Sequence, residues 1–86
     1  MIGHKIKEYQ QVVDLADPLF IESLAKKYKD NGTAPLMEVL SSLDKQIEIS
    51  KRLNKDTKQI YKQIDVVYAY MALQEMRQEM INDLNN

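Results

Sequence analysis

The segment from Asp56 to Leu84 constrains the fold most, because it has the spacing of one long helix whose apolar residues change sides partway along. Two stripes result, a proximal one made of Ile60, Ile64, Val67 and Met71 and a distal one made of Val66, Ala69, Tyr70, Leu73, Met76, Met80 and Leu84. At ~100° per residue, the proximal stripe and the end of the distal stripe point in roughly opposite directions. One straight helix cannot bury both against a single neighbour.

Three arrangements would accommodate this change of side. The helix bends near Tyr68, its middle is enclosed on all sides, or its distal stripe binds another molecule. Residues 66–73 are apolar or aromatic without interruption, so we expect both sides of the helix to be covered there. A helix of about 28 residues is ~42 Å long, which is longer than any other helix that the sequence predicts.

Three shorter helices precede this segment. The first is predicted from His4 to Ala16, the second from Pro18 to about Asp30, and the third from the Thr33-Ala34-Pro35 start to about Arg52 or Leu53. Asp17-Pro18 separates the first two, since aspartate caps a helix and proline fits its first turn, and Asn31-Gly32 is the stop after the second. A short Asn54-Lys55 link follows, and Asp56 with Gln59 resembles a capping box for the last helix. The expected core residues outside that helix are Ile6, Tyr9, Val13, Ala16, Phe20, Leu24, Tyr28, Leu36, Val39, Leu40, Leu43 and Ile47. We therefore predict an all-α, antiparallel four-helix bundle with a long C-terminal helix, as one domain over residues 1–86.

Few residues suited to catalysis or metal binding are present. The sequence has no cysteine, no glycine-rich phosphate loop and one histidine, His4, whose helical neighbour Glu8 supplies at most half of a metal or acid/base pair. We expect no enzyme activity, no catalytic or metal-binding residue and no cofactor. The N-terminus lacks the apolar core of an export signal and no apolar run approaches the length of a membrane span, which favours a cytoplasmic protein.

The charge is unevenly distributed although the net charge is only −1. Residues 45–62 contain six basic residues and two acids, whereas residues 63–86 contain four acids and one arginine. Within the basic part, Lys51, Arg52, Lys55 and Lys58 are candidates for facing phosphates or the anionic inner face of a membrane. The alternative is an ordinary solvated turn. The positive charge is too small, and the turn too short, to predict a nucleic-acid reader.

The distal half of the last helix is the candidate partner-binding surface. Methionine at helical spacing is found both in cores and on surfaces that adapt to partners, so both interpretations stay open for this stripe. Like charges four residues apart near a helix C-terminus repel one another and oppose the helix dipole, so a basic partner would stabilise them, although a solvated acidic face is the alternative. The candidate residues are Tyr70, Leu73, Met76, Met80, Leu84, Glu75, Glu79 and Asp83.

Residues 33–40, TAPLMEVL, and residues 53–59, LNKDTKQ, with the leucine and isoleucine stripe between them, resemble the middle of the immunity proteins of class IIa (pediocin-like) bacteriocins, enterocin A immunity type. The resemblance implies a cytosolic antiparallel four-helix bundle that protects the cell from such a bacteriocin. It further implies action from the inner side of the membrane on the mannose phosphotransferase permease that serves as bacteriocin receptor, alone or with the bacteriocin bound. Selectivity in the family is associated with the C-terminal half, which corresponds here to Ile60 to Leu84.

Two functional hypotheses follow from the sequence. The first is an immunity protein whose last helix binds a partner, in the cytoplasm or peripherally at the inner membrane face. The second is a homo-oligomeric structural or regulatory bundle in which the distal stripe pairs with its own symmetry mate, in the simplest case as a homodimer.

Overall fold

A computed structural model describes the backbone of residues 2–85 and the side chains of residues 5–84. It contains four helices and no strand within those residues: α1 (Ile2–Asp14), α2 (Pro18–Asn31), α3 (Ala34–Arg52) and α4 (Lys58–Asn85). The predicted fold class, an all-α antiparallel four-helix bundle with a long C-terminal helix, is therefore confirmed.

The boundary between α1 and α2 is set by Asp17. Its carboxylate accepts a hydrogen bond from the backbone N–H of Leu19 at 3.0 Å, and Pro18 occupies the first turn of α2. An N-cap residue has extended backbone angles, so the chain must leave α1 before it. For this reason α1 ends at Asp14 rather than at the predicted Ala16.

The other two connections depend on residues with positive φ. Gly32 has a φ of 70° and donates its N–H to the carbonyl of Tyr28 at 2.8 Å, which confirms the predicted end of α2 at Asn31-Gly32. Between α3 and α4 the link is longer than predicted, covering residues 53–57, and Asn54 adopts a φ of 56°. The carboxylate of Asp56 accepts the N–H of Lys58 at 2.9 Å, so α4 begins two residues after the predicted position.

The core lies where α2, α3 and α4 meet. The α3 stripe is buried as predicted at Leu36, Leu40, Leu43 and Ile47, while Val39 is only half-buried. In α2, Leu24 is fully buried, and Phe20 and Tyr28 pack against the core with part of their surface exposed. The predicted core residues of α1, which are Ile6, Tyr9, Val13 and Ala16, are all half-buried.

Helix α4 lies between α1 and α3 and contacts both. In its middle the buried residues cover one arc of about 160° around the helix axis, whereas Tyr68, on the opposite side, is exposed. The buried residues of this segment are Val66, Val67, Ala69, Tyr70 and Leu73. The expected cover on both sides of the apolar run, and with it enclosure of the middle on all sides, is therefore wrong at Tyr68.

Helix α1 runs antiparallel to the distal half of α4. The guanidinium Nη2 of Arg77 donates a hydrogen bond to Oε1 of Gln10 at 2.8 Å, while Ala16 at the other end of α1 lines the same groove as Val66. The start of α1 and the end of α4 therefore lie at the same end of an elongated molecule, whose extents are 52 × 27 × 20 Å.

Candidate interaction surfaces

The structure divides the predicted partner-binding residues of α4 into a buried and an exposed group. Tyr70 and Leu73 are buried within the single chain, with Leu73 only 2% exposed. Their assignment to a partner-binding surface is wrong for this reason. Tyr28 meets the Tyr70 ring edge-to-face, with ring centroids 6.3 Å apart. The spacing of the stripe could not predict this burial, because spacing does not show which faces of α4 the other helices cover.

Beyond Leu73 the same stripe becomes exposed. Met76 is half-buried, Met80 is 49% exposed and Leu84 is 85% exposed. Ile81, which the stripe did not include, is 50% exposed next to Met80. The sequence signal for Ile81 was its position directly after Met80, a member of the distal stripe. We define the distal surface as the exposed end of α4, made of Met76, Met80, Ile81, Leu84, Glu75, Glu79 and Asp83.

The three acids of the distal surface are all exposed. They form a column beside the apolar residues, since residues four apart lie on one side of a helix. Helix α1 carries Lys5 and Lys7, both exposed, along this half of α4. At ~100° per residue Glu79 lies about 160° around α4 from Arg77, which contacts α1, so the acidic column is on a different side from that contact.

Tyr70 is the titratable group whose environment differs most clearly from water in the described part of the chain. Burial raises the pKa of its hydroxyl, the nearby Tyr28 raises this pKa further, and Arg77 lowers it. The raised pKa follows from the packing of the Tyr70 ring in the helical core, against Tyr28.

The four predicted membrane- or phosphate-facing residues, Lys51, Arg52, Lys55 and Lys58, are all exposed. They extend from the last turn of α3 through the link to the first residue of α4. Two exposed aliphatic residues, neither of which was predicted as a site residue, lie among them in the sequence. Ile49 is 55% exposed and Leu53 is 60% exposed. Both fall outside the buried α3 stripe, and this position was the signal for their exposure.

Two open depressions lie elsewhere on the bundle. One, of about 1010 Å³, lies between α2 and the start of α3 and is lined largely by charged residues, among them Glu22, Lys26, Lys27, Asp30 and Glu38. The other, of about 490 Å³, lies between the α1–α2 turn and the first half of α4 and is more apolar, with Leu15, Phe20 and Val66 in its lining. Neither contains a residue of the distal surface.

The fold and these surfaces define an all-α four-helix protein with an exposed, partly apolar end on its longest helix. Comparison with protein-family models, curated proteins and solved structures finds no match for this chain. Within the residues described, none of the helices combines the length and hydropathy that crossing a membrane requires. The side chain of His4 lies outside the described residues.

Proposed function

We propose that this protein is a non-enzymatic immunity protein that protects a cell against a pediocin-like bacteriocin by binding a partner through the distal surface. The partner is the mannose phosphotransferase permease, alone or with bacteriocin bound, approached from the cytosolic side. Binding occludes the permease, so no covalent chemistry is required of the chain.

The observation that carries this proposal is the exposure of Met80, Ile81 and Leu84 on the last two turns of α4. Apolar side chains grouped at one end of a helix and flanked by charges are typical of protein-binding surfaces. Methionine adapts its shape to different partners. The acidic column beside them favours a partner with basic residues.

The resemblance over residues 33–40 and 53–59 supplies the biological part of the proposal. In this chain the first segment forms the start of α3, with Leu36 and Leu40 in the core, and the second forms the link and the first two residues of α4. The all-α antiparallel bundle is also the fold that the resemblance implies. Because Tyr70 and Leu73 are buried, every residue of the distal surface follows Leu73 in the chain.

The test is expression of the chain in a strain that class IIa bacteriocins kill, followed by exposure to a panel of these bacteriocins. Expression should raise the lethal concentration of at least one bacteriocin relative to the empty vector. An unchanged killing curve across the whole panel, with the chain expressed and folded, would refute the proposal.

A pair of variants locates the surface. Met80→Asp with Leu84→Asp places two charges on exposed positions, and we expect it to remove protection while the far-UV circular dichroism spectrum stays that of the parent. Leu19→Asp is the matched control, because Leu19 is an exposed apolar residue of α2 outside the distal surface. Equal protection by both variants would exclude the end of α4 as the binding surface.

Self-association through the same residues is the second candidate, favoured by the apolar part of the distal surface being open in the single chain. Sedimentation at rising protein concentration distinguishes the two. A monomer at all concentrations would remove the homo-oligomer, and a dimer that Met80→Asp with Leu84→Asp dissociates would support it.

A further inference from the structure

A second surface, which differs in chemistry from the distal surface, lies at the end of α3, in the α3–α4 link and at the start of α4. Ile49 and Leu53, at the end of α3, are each more than half exposed. At ~100° per residue Lys45, Ile49, Arg52 and Leu53 fall within about 100° of one another, so they share one side of α3. Lys55 and Lys58 are exposed nearby in sequence. Lys51 is also exposed but lies about 160° around α3 from Ile49, so it is not counted with them. We call these six residues the basic end.

The charge of the basic end is balanced only in part, since Glu48 lies one turn of α3 from Lys45 and from Arg52, and Asp56 follows Lys55. Residues 45–62 carry six basic residues and two acids, in a chain whose net charge is −1. The lysines of α2 differ in this respect, because Lys26 and Lys27 line a depression together with Glu22, Asp30 and Glu38. A surface of excess positive charge attracts anions from a distance of about 10 Å at ordinary salt concentration.

The combination of cations with exposed aliphatic side chains restricts the class of ligand. Phosphate groups alone would pair with the cations but would leave Ile49 and Leu53 in water. Neither of the two depressions described above is lined by a residue of the basic end. An anionic lipid bilayer offers charged headgroups at its surface and an apolar layer immediately below them, and it needs no cleft in the protein.

We propose that the basic end docks this protein on anionic lipid bilayers. The cations of the basic end lie at the level of the lipid phosphates, and Ile49 and Leu53 enter the boundary between headgroups and acyl chains. This docking does not depend on the distal surface or on a bacteriocin. Each basic residue near an anionic surface strengthens binding by about 1 kcal/mol, equivalent to roughly fivefold in the partition coefficient.

The test is sedimentation of the intact chain with vesicles of phosphatidylglycerol and phosphatidylcholine, compared with vesicles of phosphatidylcholine alone. We expect binding to the anionic vesicles only, weakened when the salt concentration rises from about 0.1 M to about 0.5 M because salt screens exposed charges. Equal binding to both kinds of vesicle, or no binding to either, would overturn the proposal.

Matched triple variants locate the surface. Lys45→Gln with Arg52→Gln and Lys55→Gln should lower the partition coefficient roughly 100-fold, from about fivefold for each charge. Lys26→Gln with Lys27→Gln and Lys29→Gln removes the same number of exposed positive charges from α2 and should lower it less than about threefold. Similar losses for both triple variants would show that net charge alone acts, and would overturn the docking surface.

The aliphatic part is tested separately. Ile49→Ser with Leu53→Ser should weaken binding to anionic vesicles at both salt concentrations, because it removes apolar insertion and leaves the charge unchanged. Unchanged vesicle binding by this variant would overturn the insertion of these side chains. Because no receptor or bacteriocin is present, failure here is distinguishable from failure of the proposed immunity function.

Discussion

The two leucines of the distal stripe should respond very differently to the same substitution. Leu73 and Leu84 lie on α4, eleven residues apart, which at ~100° per residue brings them within about 20° around the helix axis. Leu73 is 2% exposed and Leu84 is 85% exposed. Leu73→Ala and Leu84→Ala therefore differ mainly in burial and hardly in helix propensity or face.

The expected magnitudes follow from that burial. Truncating a fully buried leucine removes its contacts and leaves a cavity, which costs about 3 kcal/mol or more of the free energy of unfolding. Truncating an exposed leucine changes this free energy by less than about 0.5 kcal/mol. For a domain of this size about 3 kcal/mol lowers the melting temperature by roughly 12–24 °C, and it is a large fraction of a total stability of about 4–13 kcal/mol.

Urea unfolding followed by far-UV circular dichroism measures both variants. The Leu73→Ala midpoint should fall strongly and the Leu84→Ala midpoint should stay near that of the parent, with similar slopes. If both variants lost the same amount of stability in a dilute solution of monomers, the inference that Leu73 is buried and Leu84 is exposed would be refuted. A Leu84→Ala loss that grows with protein concentration would instead indicate self-association through the distal surface.

Three further predictions concern the rest of the bundle. Gly32→Ala should cost about 1–3 kcal/mol of the free energy of unfolding although no atom lies within 4 Å of the added Cβ, because φ of 70° is unfavourable for alanine; an unchanged urea midpoint would contradict this. Asp17→Ala should cost about 1 kcal/mol by removing the N-cap of α2, whereas Asp65→Ala, at an exposed position inside α4, should cost less in the same assay. Burial raises the pKa of Tyr70, so the unfolded chain loses this proton at lower pH than the folded chain does. The contribution of Tyr70 to the free energy of unfolding is therefore fully present below pH 10.0 and is lost as the pH rises towards the folded-state pKa. Tyr70→Phe should make the urea midpoint fall less steeply above that pH, and an identical fall in parent and variant would contradict the prediction.

The sequence was most informative where one period governs one buried face. The spacing of Leu36, Leu40, Leu43 and Ile47 predicts their shared burial, because a single neighbour-facing stripe leaves little choice of orientation. The uninterrupted run at residues 66–73 predicts more cover than the fold supplies, because five of its residues are buried but Tyr68 is exposed. Local capping chemistry located the α2 start at Asp17-Pro18 and its end at Asn31-Gly32.

What the sequence did not provide was the position of one helix relative to another. Periodicity shows which residues of α4 share a face, but not which of them the other helices cover, so it could not show that Leu73 is buried while Leu84 is exposed. Tyr70 and Leu73 were misassigned for this reason. The exposed Ile49 and Leu53 were missed because a search for stripes passes over apolar residues that lie outside one, although such residues are candidates for contact with another surface.

The pairing of α1 with α4 also affects how the chain acquires its structure during synthesis. Gln10 and Arg77, which are hydrogen-bonded to each other, are separated by 67 positions, and the ribosome makes α1 long before α4. Until α4 emerges, α1 has no long helix to lie against, and the half-covered core of α2 and α3 stays open to chaperones and proteases. The last helix to be translated is therefore the one whose arrival closes the native state.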